Sequence, residues 1–177
     1  MDFTIRYFRD DEIDENLDLQ LRALLLECFP HEAQYFNVKR YLHENPQNRW
    51  LAFDENGVLA AHVAAHEKII GAGEADLKVL GIAEVAVSPQ FRGRGLVKAI
   101  LEQVHAWGKE HDFAFSTLGG RSEIYSSSGY VNTTNPVTVV NVSTGQNVTE
   151  KLTYFMVRPL NNQVWPEGEI DVRGPMF

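Results

Sequence analysis

The spacing of apolar residues predicts strands at the start of the chain, helices between them and further strands towards the end. Alternation over residues 3–8 predicts a first strand. From Leu17 to Cys28, apolar residues recur at helical spacing, and Asp14 and Pro30 are placed to cap and to end that helix. Residues 38–44 are interpreted as a second helix, ended by an Asn-Pro pair. The first quarter of the chain therefore mixes both kinds of secondary structure.

The rest of the chain follows a strand, helix, strand order. An Asp-Glu-Asn-Gly turn joins predicted strands at 49–53 and 58–69, and a third long strand is expected at 78–87. The clearest helix covers 95–110, with one apolar stripe and an opposite charged face. A short strand (114–117), a short helix (122–128) and two late strands (138–142 and 153–158) around a polar turn at 143–150 complete the prediction. This order favours a mixed α/β (α+β) fold.

Composition narrows the class of protein further. The chain has 177 residues, 44 % of them hydrophobic, and a single Cys, which favours one globular domain over residues 1–177 without disulfides. A net charge of −8 disfavours nucleic acid as a partner. Apolar runs are too short to span a membrane, and the acidic N-terminal segment does not resemble a signal peptide, so a cytoplasmic protein without a membrane partner is expected.

The most informative stretch runs from Ile82 to Val104. An apolar strand stops at Ser-Pro, a turn containing Gly93 and Gly95 follows, and the long helix begins. Free amides at a helix N-terminus bind anions, and two arginines and a lysine lie on the same turn of an otherwise acidic chain. A polyanionic ligand explains that local inversion of charge, whereas an ordinary tight turn with exposed arginines is the plain alternative. The dinucleotide and Walker-type phosphate motifs are both absent.

Two motifs in this region carry a resemblance to a known family. Gln-Phe-Arg-Gly-Arg-Gly at 90–95, preceded by Val-Ala-Val-Ser-Pro, resembles the Q/R-x-x-G-x-G/A signature of the GNAT acyltransferase superfamily. Ile-Tyr-Ser-Ser-Ser-Gly-Tyr at 124–130 is similar to a second motif of that superfamily, in the expected order and spacing. The resemblance implies a single-domain GNAT fold, with a mixed twisted sheet, helices on both faces, and acetyl-CoA bound where the sheet splays.

The resemblance also implies roles for individual residues. The backbone of the third long strand would pair with the pantetheine arm of acetyl-CoA, and backbone amides of the turn would hold its pyrophosphate. Tyr125 would protonate the leaving thiolate as the catalytic acid. The implied cofactor-binding residues are Val85, Ala86 and Val87 on the strand and Arg92, Gly93, Arg94, Gly95, Leu96 and Val97 on the turn.

Within the superfamily, the chain looks most like aminoglycoside 2'-N-acetyltransferases and nodulation-type N-acyltransferases. That likeness implies transfer of an acetyl group to the amine of a small molecule, with an aminoglycoside-like amino sugar as one candidate. Glu32 and the terminal carboxylate of Phe177 would then contact the acceptor, and a homodimer is expected. The alternative is a non-catalytic acyl-CoA sensor or interaction module on the same fold, and a nucleotide-phosphate binder using the same loop is a second rival.

The general base is the point at which the chain departs from the family pattern. Gly81 and Ala83 stand where many relatives carry a Glu or His, and neither residue accepts a proton. Glu84 is one position away and would face the opposite side of the strand unless a bulge intervenes. Glu84, the Phe177 carboxylate and a chain of waters are all left open as the base. Cys28 lies on an apolar helix stripe, which favours direct attack by the amine in a ternary complex, and no metal site is expected.

Overall fold

Ten strands and four α-helices make up residues 2–177, the part of the chain that the computed structural model describes. These residues group into two compact units. The first comprises the chain up to His66 together with Ala83–Val104, and the second comprises Glu67–Ile82 together with His105–Phe177. None of the helices in the described residues is long and apolar enough to cross a membrane.

The first unit is a three-stranded antiparallel ladder that carries a long helix. Its elements are β1 (Thr4–Arg9), α1 (Glu15–Cys28), α2 (Ala33–Phe36), β2 (Asn48–Phe53) and the first half of β3 (Leu59–Ala72), and the ladder runs in the order β1, β2, β3. Asp14 caps α1, because its carboxylate accepts the N–H of Leu17 at 2.8 Å. The predicted start of this helix is therefore confirmed.

The core of the first unit lies against the apolar stripe of α1. Leu21, Leu24 and Leu25 are buried together with Phe36 and Leu51. Leucines three and four positions apart share one face of a helix, so a single face of α1 supplies three of the seven buried residues of this cluster. The same cluster includes Ala86 of β4 (Ala75–Val87).

The second unit is built on a mixed sheet with the strand order β6, β9, β5, β4, β3, β10, β7, β8. Strand β4 pairs in parallel with β5, and β10 pairs in parallel with β7, whereas β9 is antiparallel to both β5 and β6. The elements not yet given bounds are α3 (Leu96–Glu110), β5 (Phe115–Gly119), α4 (Ser122–Tyr125), β6 (Val131–Asn132), β7 (Pro136–Val140), β8 (Asn147–Lys151), β9 (Phe155–Pro159) and β10 (Ile170–Asp171).

Two predictions about secondary structure are wrong. Residues 38–44 are not helical, and the short helix α2 precedes them. Val38 is 76 % exposed, so this segment has no apolar face that would pack as a helix. The Arg40 side chain donates to Asp10 and the Leu42 amide donates to Glu84. Tertiary hydrogen bonds therefore hold this segment in place of intrahelical ones. The polar turn expected at 143–150 contains most of strand β8, whose five residues are all exposed, which explains why its sequence shows no apolar alternation.

Two leucines of α1 allow a matched test of this packing. Leu25 is fully buried, whereas Leu19 is 54 % exposed on the same helix. Leu25→Ala should lower the free energy of unfolding by about 2–5 kcal/mol, since it removes buried methyl groups and leaves a cavity. Leu19→Ala should change it by less than about 0.5 kcal/mol. Urea unfolding followed by circular dichroism measures both values, and equal losses would contradict the placement of the core.

Candidate active site

In the first unit, the candidate site begins where β4 loses its parallel neighbour. Within residues 2–177, the pairing of β4 with β5 covers only Val79–Ile82, although β4 continues to Val87. The last five residues of β4, 83–87, are therefore outside the β4–β5 ladder. Because buried or half-buried amides need acceptors, this stretch is suited to pair with an extended ligand.

The turn after β4 has the backbone geometry of an anion-binding loop. A single 3₁₀ turn, Pro89–Phe91, buries the Phe91 ring edge-on against Phe3. Gly93 and Gly95 both have left-handed backbones, with φ of 74° and 75°. The Ala99 amide donates to the Gly95 carbonyl at 3.0 Å, so the preceding amides of the first helical turn have no acceptor within the helix.

Side-chain cations surround this turn. Arg92 Nε–H donates to the Val87 carbonyl at 3.2 Å, and the Arg94 guanidinium lies over the Phe91 ring, 5.5 Å from its centroid. The Cys28 thiol donates to the same Val87 carbonyl at 3.3 Å. Burial raises the pKa of Cys28 although Arg92 opposes it, so the thiol stays protonated, which is unfavourable for a nucleophilic role.

Glu84, which lies between the end of the β4–β5 pairing and the turn, has an unusual backbone for a residue with a side chain. Its φ is 45°, a left-handed value inside a strand that is typical of a β-bulge and costs such a residue roughly 1–2 kcal/mol. The side chain is only 3 % exposed and points into the first unit. There Oε1 accepts the Leu42 amide at 3.0 Å, and Oε2 lies 3.8 Å from Arg49 Nη1.

A chain of buried polar groups extends from Glu84. The Glu84 carbonyl accepts His62 Nδ1–H at 2.9 Å, and His62 Nε2 accepts from Arg49 Nη1 at 3.1 Å. Arg49 Nε in turn donates to the Asp10 carboxylate, which also accepts hydrogen bonds from Arg40 and Asn45. Burial and the nearby Arg49 hold the pKa of His62 well below its usual range, so the ring is neutral.

The two carboxylates among these buried polar groups, Asp10 and Glu84, have pKa values shifted in opposite directions. Burial raises the pKa of Asp10, but hydrogen bonds from Arg40 and Arg49 outweigh it and bring the value to about 2. Burial raises the pKa of Glu84 to about 7, because a single 3.8 Å ion pair and one amide bond offset it only in part. Sequence reasoning missed Arg49 and Asp10, and the one available signal was a charged residue in an otherwise apolar strand.

The second unit carries the predicted acid, Tyr125, on α4. The ring is buried against Gly120, where a Cβ would lie 2.7 Å from Tyr125 Cδ2. It also makes an edge contact with Tyr130, with the ring centroids 6.1 Å apart. Burial raises the pKa of Tyr125 and outweighs the opposing effect of Arg121, so the phenol is protonated and can donate a proton.

Behind Tyr125 lies a hydrogen-bond relay that sequence reasoning also missed. Arg158 Nη1 donates to His105 Nδ1 at 2.7 Å, which leaves His105 Nε2–H to donate to the Tyr130 hydroxyl at 2.8 Å. The Tyr130 hydroxyl and Ser116 Oγ are 2.6 Å apart. Burial and the Arg158 cation lower the pKa of His105 to about 3, so the relay contains a neutral imidazole. Arg158 also binds the Ser128 carbonyl at the end of the Tyr125 segment.

The remaining predicted residues have clear local environments. The Phe177 ring packs directly on Gly81, where an added Cβ would lie 2.6 Å from Phe177 Cγ. Glu32, in the first unit, is half-buried in a 3₁₀ turn between α1 and α2. The absence of a side chain at position 81 is thus explained by a ring that occupies the space.

The family of the chain follows from comparison with known proteins. The model of the acetyltransferase (GNAT) domain family matches residues 4–132, which include both the turn and Tyr125. The chain therefore belongs to the GNAT family, and it is a GNAT-family N-acetyltransferase. None of the curated proteins matches it. The more specific likeness to aminoglycoside 2'-N-acetyltransferases has no support from these comparisons.

Solved structures share the GNAT fold at low sequence identity. The GNAT family N-acetyltransferase YhbS from Escherichia coli, in complex with CoA, is 20 % identical with a TM-score of 0.68, and the match covers 96 % of this chain and 89 % of that one. A GNAT family acetyltransferase from Brucella melitensis, in complex with acetyl-CoA, is 17 % identical with a TM-score of 0.63, over 96 % and 94 %. A probable N-acyltransferase from Enterococcus faecalis is 18 % identical with a TM-score of 0.60, but the chain spans only a third of it (75 % and 33 %).

The neutral state of His105 predicts a pH dependence of stability. Its folded pKa of about 3 lies below the usual value, so the unfolded chain binds a proton that the folded chain does not. Stability from this group is complete above the unfolded pKa and is lost as pH falls towards about 3. The difference in unfolding free energy between wild type and His105→Gln should therefore shrink between about pH 7 and about pH 4. A difference that stays constant in urea titrations over this range would contradict it.

Proposed function

We propose that the turn from Arg92 to Val97 binds the pyrophosphate of acetyl-CoA and that the backbone of Val85, Ala86 and Val87 receives its pantetheine arm. The observation that carries this proposal is the pair of left-handed glycines, Gly93 and Gly95, directly before a helix whose first amides have no acceptor in the helix. Such amides and the helix dipole together favour an anion. The cations Arg92, Arg94 and Lys98 add to the same field.

Acetyl transfer then proceeds by direct attack of the acceptor amine on the thioester carbonyl. The amine nitrogen forms the new bond, the carbonyl becomes an oxyanion, and the carbon–sulfur bond breaks. A backbone N–H near Val87 is the proposed donor to the oxyanion. Tyr125 gives its proton to the leaving thiolate, and its protonated phenol supports that role. The protonated Cys28 supports a mechanism without an acyl-enzyme.

The acceptor is proposed to be a small amine, with an amino sugar as one candidate class. A chain of net charge −8 attracts an ammonium group, and Glu32 and Phe177 are the residues proposed to contact it. The ring on Gly81 leaves no place for a carboxylate there, so the proposed acceptors of the amine proton are Glu84, the Phe177 carboxylate or a chain of waters. Contact of the Phe177 carboxylate with the acceptor, a homodimer and a cytoplasmic location stay predictions.

Replacement of Gly95 tests the cofactor turn. Gly95→Ala should raise the Kd for acetyl-CoA roughly tenfold, since a left-handed backbone costs an alanine about 1–2 kcal/mol and the strain would be relieved by reshaping the turn. Gly57, in the turn between β2 and β3, has φ of 78°, and like Gly95 it has no atom within 4 Å of an added Cβ.

Gly57→Ala is therefore a control with equal strain at a distant turn. It should lower thermal stability to a similar extent and leave the Kd unchanged. Isothermal titration with acetyl-CoA gives both constants, and equal affinity in all three proteins would contradict the proposed pyrophosphate site.

Tyr125 is tested by removal of its hydroxyl and by displacement of its ring. Tyr125→Phe should lower kcat by about 10²-fold or more, with the Kd for acetyl-CoA nearly unchanged, because only proton donation is lost. Gly120→Ala should also lower kcat, because its Cβ overlaps the Tyr125 ring. The neighbouring Gly119→Ala, whose Cβ would lie 3.3 Å from Tyr154, is the control.

Turnover is followed as thiol release with a panel of small amines and amino sugars, and the panel also identifies the acceptor class. Wild-type kcat in Tyr125→Phe would remove Tyr125 from the acid role. Unchanged turnover in Gly120→Ala would show that the ring position is not critical.

A further inference from the structure

Glu84 combines an unfavourable backbone with a buried carboxylate, of which Oε1 is hydrogen-bonded and Oε2 lies near Arg49. The non-glycine residues with positive φ in the described part of the chain are Glu84, Asp112 and Arg173, and Glu84 is the one that lies inside a strand. Glycine is the ordinary residue at such a position, because it has no Cβ to clash with the backbone. A carboxylate that occupies it must be held there by its surroundings, and strain of this kind concentrates at functional sites.

Both the main chain and the side chain of Glu84 are tied to one buried group, the Arg49 side chain. The Glu84 carboxylate lies 3.8 Å from Arg49 Nη1, and its carbonyl accepts from His62, whose other ring nitrogen accepts from Arg49. Arg49 and His62 are completely buried. Arg49 is itself anchored by Asp10. A rotation of the Glu84 backbone towards an extended conformation would therefore break several buried polar contacts at once.

We propose that Glu84 is a positioning residue: its buried ion pair with Arg49 holds the left-handed bend of β4 and so sets the direction of the Val85–Val87 backbone that receives the pantetheine arm. This inference rests on the proposed cofactor site and deepens it. It also removes Glu84 from the candidates for general base. The side chain is 3 % exposed, with Oε1 occupied by the Leu42 amide and Oε2 buried towards Arg49.

The charge balance around Glu84 gives the bend a dependence on pH. The groups that face it are Arg49 from β2, His62 from β3, Asp10 from the segment after β1, and Lys39 from the segment before β2. Its pKa of about 7 means that ionised and protonated forms both occur near neutrality. Protonation removes the attraction to Arg49, so binding of acetyl-CoA should weaken as pH falls through about 7.

Three substitutions at this position separate positioning from proton transfer. Glu84→Gly permits the left-handed backbone without a side chain, Glu84→Ala does not favour it, and Glu84→Gln keeps the size but not the charge. If Glu84 positions the strand, Glu84→Ala should raise the Kd for acetyl-CoA about tenfold, a shift equivalent to the strain of one left-handed residue, with a smaller change in kcat. Glu84→Gly should restore the Kd to within about threefold of wild type.

The ratio of Kd between Glu84→Gln and wild type supplies the pH test. This ratio cancels titration of the ligand itself, and it should fall towards one as the pH is lowered from about 8 to about 6. If Glu84 were the base, all three variants would lose about 10²–10⁴-fold in kcat with the Kd unchanged, and Glu84→Gly would be no better than Glu84→Ala. Either that pattern or a flat Kd ratio would overturn the proposal.

Failure of this inference is distinguishable from failure of the cofactor site. If wild type binds acetyl-CoA and Gly95→Ala weakens binding while the Glu84 variants bind normally, only the role of Glu84 is lost. If Gly95→Ala also binds normally, the proposed cofactor turn is lost with it. Should Glu84→Ala fail to fold, Glu84→Gly and Glu84→Gln still decide the matter, since a hundredfold loss of kcat in Glu84→Gly at unchanged Kd would exclude positioning.

Discussion

The candidate site depends on backbone amides that lie outside the β4–β5 ladder and ahead of the first intrahelical bonds of α3. A strand in a sheet normally has its amides paired on both sides, and β4 gives up that pairing with β5 after Ile82. In the turn that follows, the left-handed glycines Gly93 and Gly95 lead the chain into α3. The first amides of that helix have no acceptor within the helix. The proposed ligand, with acceptors in its amide-containing arm and in its phosphates, matches these two sets of amides. The relative from Brucella melitensis, which is in complex with acetyl-CoA, shares the fold that forms this arrangement.

The two units stabilise their buried polar groups in different ways. The first uses charge: Asp10 and Glu84 compensate Arg49, and Arg40 adds a second cation to Asp10. The second uses hydrogen bonds among neutral side chains, from His105 through Tyr130 to Ser116, with the Arg158 cation as donor at one end. Buried ion pairs carry a large desolvation cost and are retained where a fixed arrangement matters, which agrees with their place beside the bend of β4. Neutral relays cost less and suit a rigid support for the Tyr125 segment.

Glycines near the site are explained by their neighbours and not by flexibility alone. Gly81 and Gly120 each lie under an aromatic ring, that of Phe177 and that of Tyr125. At Gly81 the ring takes the space of a side chain, and this accounts for the missing carboxylate on the strand. Gly93 and Gly95 have open space around them, so their requirement is the left-handed backbone itself. Steric exclusion in the second unit and backbone conformation in the first are therefore separate reasons for glycine.

The sequence by itself determined those features that depend on near neighbours along the chain. Asp14 and the leucine spacing define α1, and the two motifs define the GNAT family, the turn before α3 and the segment of Tyr125. Only the tertiary structure determined that residues 38–44 are not helical and which way the Glu84 side chain points. The hydrogen bond between Leu42 and Glu84 joins residues 42 positions apart. Periodicity cannot register such a contact: it reports which face of an element is apolar, and a single buried ion pair leaves no repeating pattern.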